Sequence, residues 1–320
     1  MKKNRLYFGV LLLLLLIAAA SYGMLHAGRR EKIYNISVIV DDSNNDRWIA
    51  FHQGLEQAAA AQNMNVSFVS TGKLTDTQEQ LALIEREIEN GADGILVQMV
   101  GGAQPMKELE QAAARAAVML VETNVSPEGV YAFTGPDNRA MGAALAQAVC
   151  DDLGGELSGK KIGVFSGSMQ KLSTQQRLLG FQEEIAQTGA EIIWTVENQA
   201  DGAQKTKLPE QEEADIVVAL ENEETERMVD SVLSGTQQTG SLLYGIGCSE
   251  KAVYYLDKGV IRALVVPNEF HMGYQGMQAL AWQLQYHLAK AEDSETGYLV
   301  VDQEKLYEES NQKILFPIVQ

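Results

Sequence analysis

From Tyr34 onward, short apolar runs rich in β-branched residues alternate with stretches in which apolar residues recur at helical spacing. Ile36 to Val40 reads as a buried strand, Arg47 to Ala61 as a helix, Val66 to Val69 as a strand, and Thr77 to Glu89 as a helix with Leu81, Ile84 and Ile88 on one face. A strand at Gly94 to Gln98, a helix over Met106 to Ala116 and a strand at Val118 to Val121 continue the alternation. Apolar strands separated by helices predict a parallel sheet covered by helices. After Phe133 the rhythm restarts with a helix over Asn138 to Leu153. Strands follow at Lys161 to Phe165, Glu191 to Val196, Asp215 to Leu220, Leu242 to Ile246 and Ile261 to Val266. Helices are expected between them at Ser173 to Gln187, Glu223 to Leu233 and Ser249 to Leu256, with a long one near Tyr274 to Lys290. In the segment from Glu197 to Ala214, Pro209 and the acids Glu210, Glu212 and Glu213 leave room for only a short helix. The expectation is an α/β chain with two Rossmann-like lobes, residues 34–134 plus 268–299 and residues 135–267 plus 300–320. No Pro-rich or Gly/Ser-rich linker separates them, so the lobes should be joined by several short crossings.

The first 33 residues follow a different pattern. Lys2, Lys3 and Arg5 precede an apolar run that extends from Leu6 to Leu25, and Arg29, Arg30 and Lys32 lie just beyond it. About 20 apolar residues suffice to cross a bilayer, so an uncleaved signal anchor is one reading. Ala18, Ala19 and Ala20 also supply a small-x-small cleavage site, so a removed signal peptide is the other. In both, the body is exported and works at the outer face of the cytoplasmic membrane. Lipid anchoring would need a cysteine at the end of the run, but the two cysteines are Cys150 and Cys248. A helix of about fifteen residues separates the ends of the lobe on which these two fall, roughly 22 Å, so both are expected as free thiols.

Charge narrows the partners. The chain carries 25 Lys+Arg against 43 Asp+Glu, a formal −18, and the body is more acidic still because five of the cations lie in the first thirty residues. Such a body repels nucleic acid and anionic lipid. Enzyme signatures are missing at the strand ends, where open parallel sheets place ligands. The loop Asp41 to Asp46 has no glycines to admit a dinucleotide, Gly163 to Ser168 does not form a nucleophile elbow, and Ser158 to Lys160 lacks a phosphate-cradling loop. Asp42, Asn44 and Asp46 match the first positions of a calcium loop, but Arg47 stands where the turn glycine belongs and Gln53 where the bidentate glutamate belongs. The four histidines have no zinc spacing. No cofactor or metal is expected. A cleft hydrolase would need paired carboxylates, and Glu122 and Glu221 are the acids that the strand ends bring toward each other.

An exported two-lobed body of this kind has a known counterpart. The stretches Ile36 to Val40, Asn44-Asn45-Asp46-Arg47-Trp48, Gly54-Leu55, Gly91 to Val97, Pro136-Asp137-Asn138 with Gly142, Arg177 with Gly180-Phe181, and Gly259 with Ile261 occur in an order and spacing that resembles the type I periplasmic binding proteins, closest to the ribose and galactose group serving sugar ABC transporters. The resemblance implies reversible, non-catalytic capture of a small polar ligand, a sugar above all, in a cleft that closes about a three-stranded hinge. It implies that Asn44, Asn45 and Arg47 open the first strand-end loop, that Trp48 stacks on a sugar ring, and that Glu122 accepts from two hydroxyls. Asp137 and Arg177 come from the second lobe, and Glu221 falls at a strand end where it could line the cleft. Thr123 stands where the family often has arginine, Gly247-Cys248 where it has aspartate, and Pro267-Asn268 where it has glutamine. These departures widen the expected ligand to other sugars, a sugar-derived signal or another small polar molecule.

Simpler roles compete for several of these residues. Trp48 could staple the first helix to its strand, Arg177 could pair with Glu183 or Glu184, and Asp137 could cap a helix. The expected partner of the body, itself expected to be a monomer, is an ABC permease or, alternatively, a sensor histidine kinase in the membrane. Regulators of the LacI type share the fold but would carry a basic helix-turn-helix in place of the apolar run.

Overall fold

In β1 (Asn35–Ile39), Ile36 and Val38 enter one buried layer and Ile39 the opposite one. The same alternation separates Leu96 from Ile95 and Val97 in β3 (Gly94–Val97), and Met119 from Val118 and Leu120 in β4 (Ala117–Val121). A sheet buried on both faces needs apolar side chains on both, which is why these strands read as continuous apolar runs. The computed structural model describes residues 11–18, 21, 32–102, 107–125, 130–197, 213–234 and 240–316.

Two six-stranded sheets result. The first has the order β11-β5-β4-β3-β1-β2, adding β2 (Asn65–Phe68), β5 (Ala132–Gly135) and β11 (Ser294–Glu295), with every pairing parallel. Helices α1 (Trp48–Gln62), α2 (Thr77–Glu89) and α3 (Lys107–Ala113) connect its strands. The second sheet has the order β12-β10-β9-β8-β6-β7. Its strands are β6 (Lys161–Gly167), β7 (Glu191–Glu197), β8 (Ile216–Ala219), β9 (Leu242–Ile246), β10 (Ile261–Pro267) and β12 (Tyr298–Asp302), all parallel except β12, which runs antiparallel to β10. The remaining helices are α4 (Asn138–Asp152), α5 (Leu172–Ile185), α6 (Asn222–Leu233), α7 (Glu250–Asp257), α8 (Glu269–Tyr286) and α9 (Glu309–Leu315).

The chain passes between the sheets three times: after β5, after β10, and between β11 and β12. Backbone hydrogen bonds lay these crossings side by side. Thr296 N donates to Gly135 O at 2.9 Å, and Asn268 N donates to Gly297 O at 3.0 Å. Only φ and ψ changes in these few residues are needed to rock one lobe against the other.

Each lobe holds one pair of helices in unusually close contact, and both pairs do it with glycine. A Cβ on Gly54 of α1 would lie 2.1 Å from the carbonyl oxygen of Phe270 in α8, and one on Gly273 would lie 2.1 Å from that of Phe51. The second lobe repeats the device: a Cβ on Gly142 of α4 would lie 1.9 Å from Arg177 O, and one on Gly180 of α5 2.0 Å from Arg139 O.

Some elements differ from expectation. Helix α8 starts at Glu269, five residues ahead of Tyr274, because Asn268 caps it by accepting from His271 N. It stops at Tyr286, where His287 turns left-handed at φ 54°. The short helix expected between Glu197 and Ala214 falls on residues outside those described. Of the expected membrane span from Leu6 to Leu25, residues 11–18 are helical and the rest lies largely outside the described residues. Among the described residues no helix is long and apolar enough to cross a membrane.

Candidate functional site

The C-terminal ends of β1, β3 and β4 face those of β6, β8 and β9, and charged side chains from both lobes fill the space between. Glu122, the first residue after β4, is at the centre. It is buried, and its backbone has φ 57°, a left-handed conformation that turns the chain sharply at the strand end. Its Oε1 accepts from Arg47 Nη2 at 2.7 Å and from Arg177 Nη2 at 2.8 Å, and its Oε2 accepts from Gln98 Nε2 at 2.5 Å. Burial alone would raise the carboxyl pKa, but the positive charges of Arg47, Arg177 and Lys171 prevail and hold it well below the usual range.

Arg47 leads into α1 and divides its guanidinium between Glu122 and Glu269 Oε1, the latter at 2.9 Å. Arg177 projects from α5. Its Nε donates to Asn138 Oδ1 at 2.8 Å and its Nη1 to Leu220 O at 3.1 Å, which fixes the fork before it reaches Glu122. Asn138 Nδ2 in turn donates to Glu122 O at 2.8 Å. Lys171, just before α5, forms a second crossing: its Nζ lies 2.7 Å from Asp41 Oδ2 and 3.4 Å from Glu221 Oε2. Glu221 also accepts from the Thr174 hydroxyl. Burial works against the Lys171 charge, yet Asp41 and Glu221 outweigh it and raise the ammonium pKa. Thr123 and Ser173 hydroxyls meet at 3.1 Å, and at the outer lip Lys73 pairs with Glu223 at 2.5 Å. With the lobes this close, the space left among Arg47, Glu122, Arg177, Asn222, Gly247 and Glu269 is about 10 Å³, enough for one water.

The structure therefore gathers Arg47, Glu122, Thr123, Arg177 and Glu221 into one network, with Cys248 on its wall. Arg177 does not pair with Glu183, which Arg139 holds instead. Other expected residues do other work. Trp48 is buried in the core, edge-on to Phe51, with the Arg47 guanidinium 4.2 Å above its ring. In this arrangement its burial and Arg47 cover the ring face on which a sugar is expected to stack, and Trp48 packs α1 against the core as the simpler reading has it. Asp137 is exposed and caps α4 by accepting from Ala140 N, and Asn268 caps α8. Asn44 is exposed and donates to Thr71 O at 3.3 Å, while Asn45 Oδ1 accepts from Arg47 N at 3.1 Å. These two asparagines shape the loop that carries Arg47.

Cys248 is half-buried, and burial first, then the nearby Glu269 charge, pushes its thiol up to about 12, so it is no nucleophile at neutral pH. Asp41, Gln98, Lys171, Thr174 and Glu269 join the site without having been singled out from the sequence, and Asn138, quoted only as part of the family pattern, joins it too. Gln98 closes a strand of the expected sheet, so the strand-end rule pointed to it. Lys171 and Glu269 flank helix starts whose neighbours across the cleft only the fold reveals. Ion pairs join the charged groups of the two lobes: Arg177 of the second meets Glu122 of the first, and Lys171 of the second meets Asp41 of the first.

Known structures share this architecture. A glucose-galactose binding protein of Geobacillus stearothermophilus, GanP, has a TM-score of 0.75 at 18% identity, with 87% of this chain and 100% of that one aligned. An ABC transporter solute-binding protein of Agrobacterium vitis, bound with alpha-D-tagatopyranose, has a TM-score of 0.77 at 19% identity over 88% of this chain and 99% of that one. A XylFII-LytSN complex contains a chain with a TM-score of 0.72 at 16% identity over 85% of this chain and 99% of its own. No curated protein sequence is significantly similar. The profile of the family described as "Periplasmic binding protein domain" matches residues 36–287. With two mostly parallel sheets, three crossings among the described strands and a polar cleft at the strand ends, the chain belongs to the periplasmic binding protein domain family, whose members are binding proteins and not enzymes.

Proposed function

We propose that the protein is an extracytoplasmic receptor that captures a small polar ligand, a sugar, between its lobes and delivers it to an ABC transporter. The observation that carries this reading is the set of donors and acceptors presented by both lobes at the strand ends: Arg47, Gln98 and Glu122 from one, Lys171, Arg177 and Asn222 from the other. A sugar offers a rim of hydroxyls that such groups read. The family similarity and the sugar-bound relative support it.

In the closed arrangement the groups satisfy one another. A ligand therefore enters an opened cleft and exchanges its hydroxyls for the contacts between Arg177 and Glu122 and between Lys171 and Asp41. Opening exposes these charges to water, which lowers what their separation costs. The N-terminal run from Leu6 to Leu25 would hold the receptor at the membrane, or would be removed on export; N-terminal sequencing of the mature protein separates the two.

Calorimetric titration with pentoses and hexoses tests the reading. At least one sugar is expected to bind without turnover. Silence across the panel would remove the sugar, and product formation would remove the receptor. A second use, handing the closed state to a membrane sensor kinase, is favoured by the XylFII-LytSN complex, in which a similar fold is joined to another protein. A permease and an ATPase encoded beside this gene would support uptake; a histidine kinase and response regulator without a permease would support sensing.

A further inference from the structure

The buried network between the lobes does not balance its charge. Arg47, Lys171 and Arg177 meet Asp41, Glu122, Glu221 and Glu269, three positive groups against four negative ones when all are ionised. An unbalanced charge held away from water is costly, and the cost falls if one carboxylate takes up a proton.

Hydrogen bonds show which one. Both oxygens of Glu122 accept, Oε1 from the two arginines and Oε2 from Gln98. Those of Asp41 accept from Lys171 and from Asp42 N, and those of Glu221 from Thr174 and Lys171. Glu269 differs. Its Oε1 shares Arg47 with Glu122, while Oε2 is buried with no hydrogen-bond partner among the described residues. The side chain is 7% exposed and that oxygen is sealed from solvent, which leaves room for a proton and not for a ligand.

The surroundings favour the neutral form. Glu269 is faced by Arg47 from the lead into α1, Glu122 from the end of β4, Arg177 from α5 and Cys248 from the turn after β9. Asp46, Glu250, Tyr254, Asp257 and Tyr307 line the adjoining cavity, and none of these adds a positive charge. Burial is the largest influence; Arg47 opposes it, Glu122 reinforces it, and the Glu269 carboxyl is pushed up to about 7 from an ordinary 4.5. The second lobe contributes to that burial, because its Asn222, Gly247 and Cys248 enclose the same small space as Glu269 of the first. Opening the cleft gives the carboxylate back to water.

We propose that Glu269 is a proton switch on the cleft: closure seats a proton from solvent on its Oε2, and opening releases it. The inference rests on the receptor reading for closure itself and not on the ligand being a sugar. The closed form has the higher pKa, so its advantage is complete below about 4.5 and is lost as the pH rises through about 7. A receptor with this switch holds its ligand in mild acid and opens toward the alkaline side.

The test is the distance between spin labels on Ser70→Cys and Gln170→Cys, exposed positions on opposite lips of the cleft, in the full chain without ligand. From about pH 8 to about pH 6 the ratio of short to long distances is expected to rise about tenfold. Glu269→Gln, neutral at every pH and still able to accept from Arg47, should abolish the rise. Imidazoles titrate in the same range, so His271→Gln, which removes the exposed histidine in the first turn of α8, must keep it. Should Glu269→Gln fail to fold, infrared difference spectra of the unsubstituted chain between the two pH values must show a carboxyl gaining a proton. A ratio indifferent to pH, an equal rise in Glu269→Gln, loss of the rise in His271→Gln, or no carboxyl protonation would overturn the proposal. A pH-dependent distance in a protein silent to every sugar would uphold the switch while removing the sugar; a sugar that binds while the distance ignores pH would uphold the receptor and remove the switch.

Discussion

Glu122→Ala is expected to lower the stability of the body by about 3–5 kcal/mol, the usual consequence of removing one partner from a buried ion pair. Arg47 would keep Glu269, but Arg177 would lose its carboxylate and retain only Asn138 and the Leu220 carbonyl. Its charge, 3% exposed at the side chain, would then be buried without a counterion. The backbone contributes little to the difference, because glutamate already bears the strain of a Cβ at φ 57° that alanine would bear. Glu122→Gly relieves that left-handed strain and still strands the arginines, so it should be less destabilised than Glu122→Ala but remain below the wild type. Denaturant midpoints measure both variants. The pH dependence has a definite sign. The folded carboxyl pKa lies below its ordinary value of 4.5, so its contribution is complete above that value and is lost as the pH falls toward the lowered one. The gap between wild type and Glu122→Ala should therefore be full at neutral pH and shrink in acid. A gap that widened on acidification would contradict the ion-pair assignment.

Gly142→Ala reaches the same site through packing. An alanine in the middle of an exposed helix would add about 1 kcal/mol of stability over glycine. Here the new methyl would stand 1.9 Å from the Arg177 carbonyl oxygen, a backbone atom that moves only with its helix. Helix α5 must retreat by more than 1 Å to restore ordinary contact, and it carries Arg177 away from Asn138 and Glu122, now at 2.8 Å each. Overpacking of this sort costs about 1–3 kcal/mol, to which the stretched ion pair adds. The sign decides the matter: destabilisation is expected, and a gain of stability would show that the helices are not so close. Gly54→Ala, which crowds the equivalent crossing in the first lobe, should destabilise too but leave Arg177 in place, so ligand affinity should fall more in Gly142→Ala.

The sheets were legible in the sequence because buried parallel strands are uninterrupted apolar runs, as in Gly94 to Val97. Strand β5 was not, since Ala132 to Gly135 is four residues with a threonine and a glycine among them. Strand β11 has two residues and forms only because β5 offers it an edge. Helix α9 is seven residues long and owes its place to the apolar contacts of Leu315 rather than to any repeat.

The site was half legible for related reasons. Strand ends announce themselves, so Glu122 and Glu221 could be placed, and the family pattern brought Arg47 and Arg177. What the pattern could not supply was who meets whom across the cleft. The resemblance places Trp48 against a sugar ring, but as the first residue of α1 it turns into the core here, and the preceding Arg47 takes the cleft. Lys171 carries no motif, yet it bridges the lobes because Asp41 lies opposite once both sheets are in place.

The claim at the centre is that the lobes open and close on this network. Spin labels on Ser70→Cys and Gln170→Cys, exposed positions in the loops after β2 and β6 on opposite lips of the cleft, report it as a distance. Cys150 and Cys248 are half-buried, with thiol pKa values raised by burial, so they label slowly. In the wild type at low ionic strength the expected result is a short distance with a minor longer population that a bound sugar depletes, and in Glu122→Ala a shift to the longer one. A single distance, unchanged by the substitution and by every sugar tested, would contradict it.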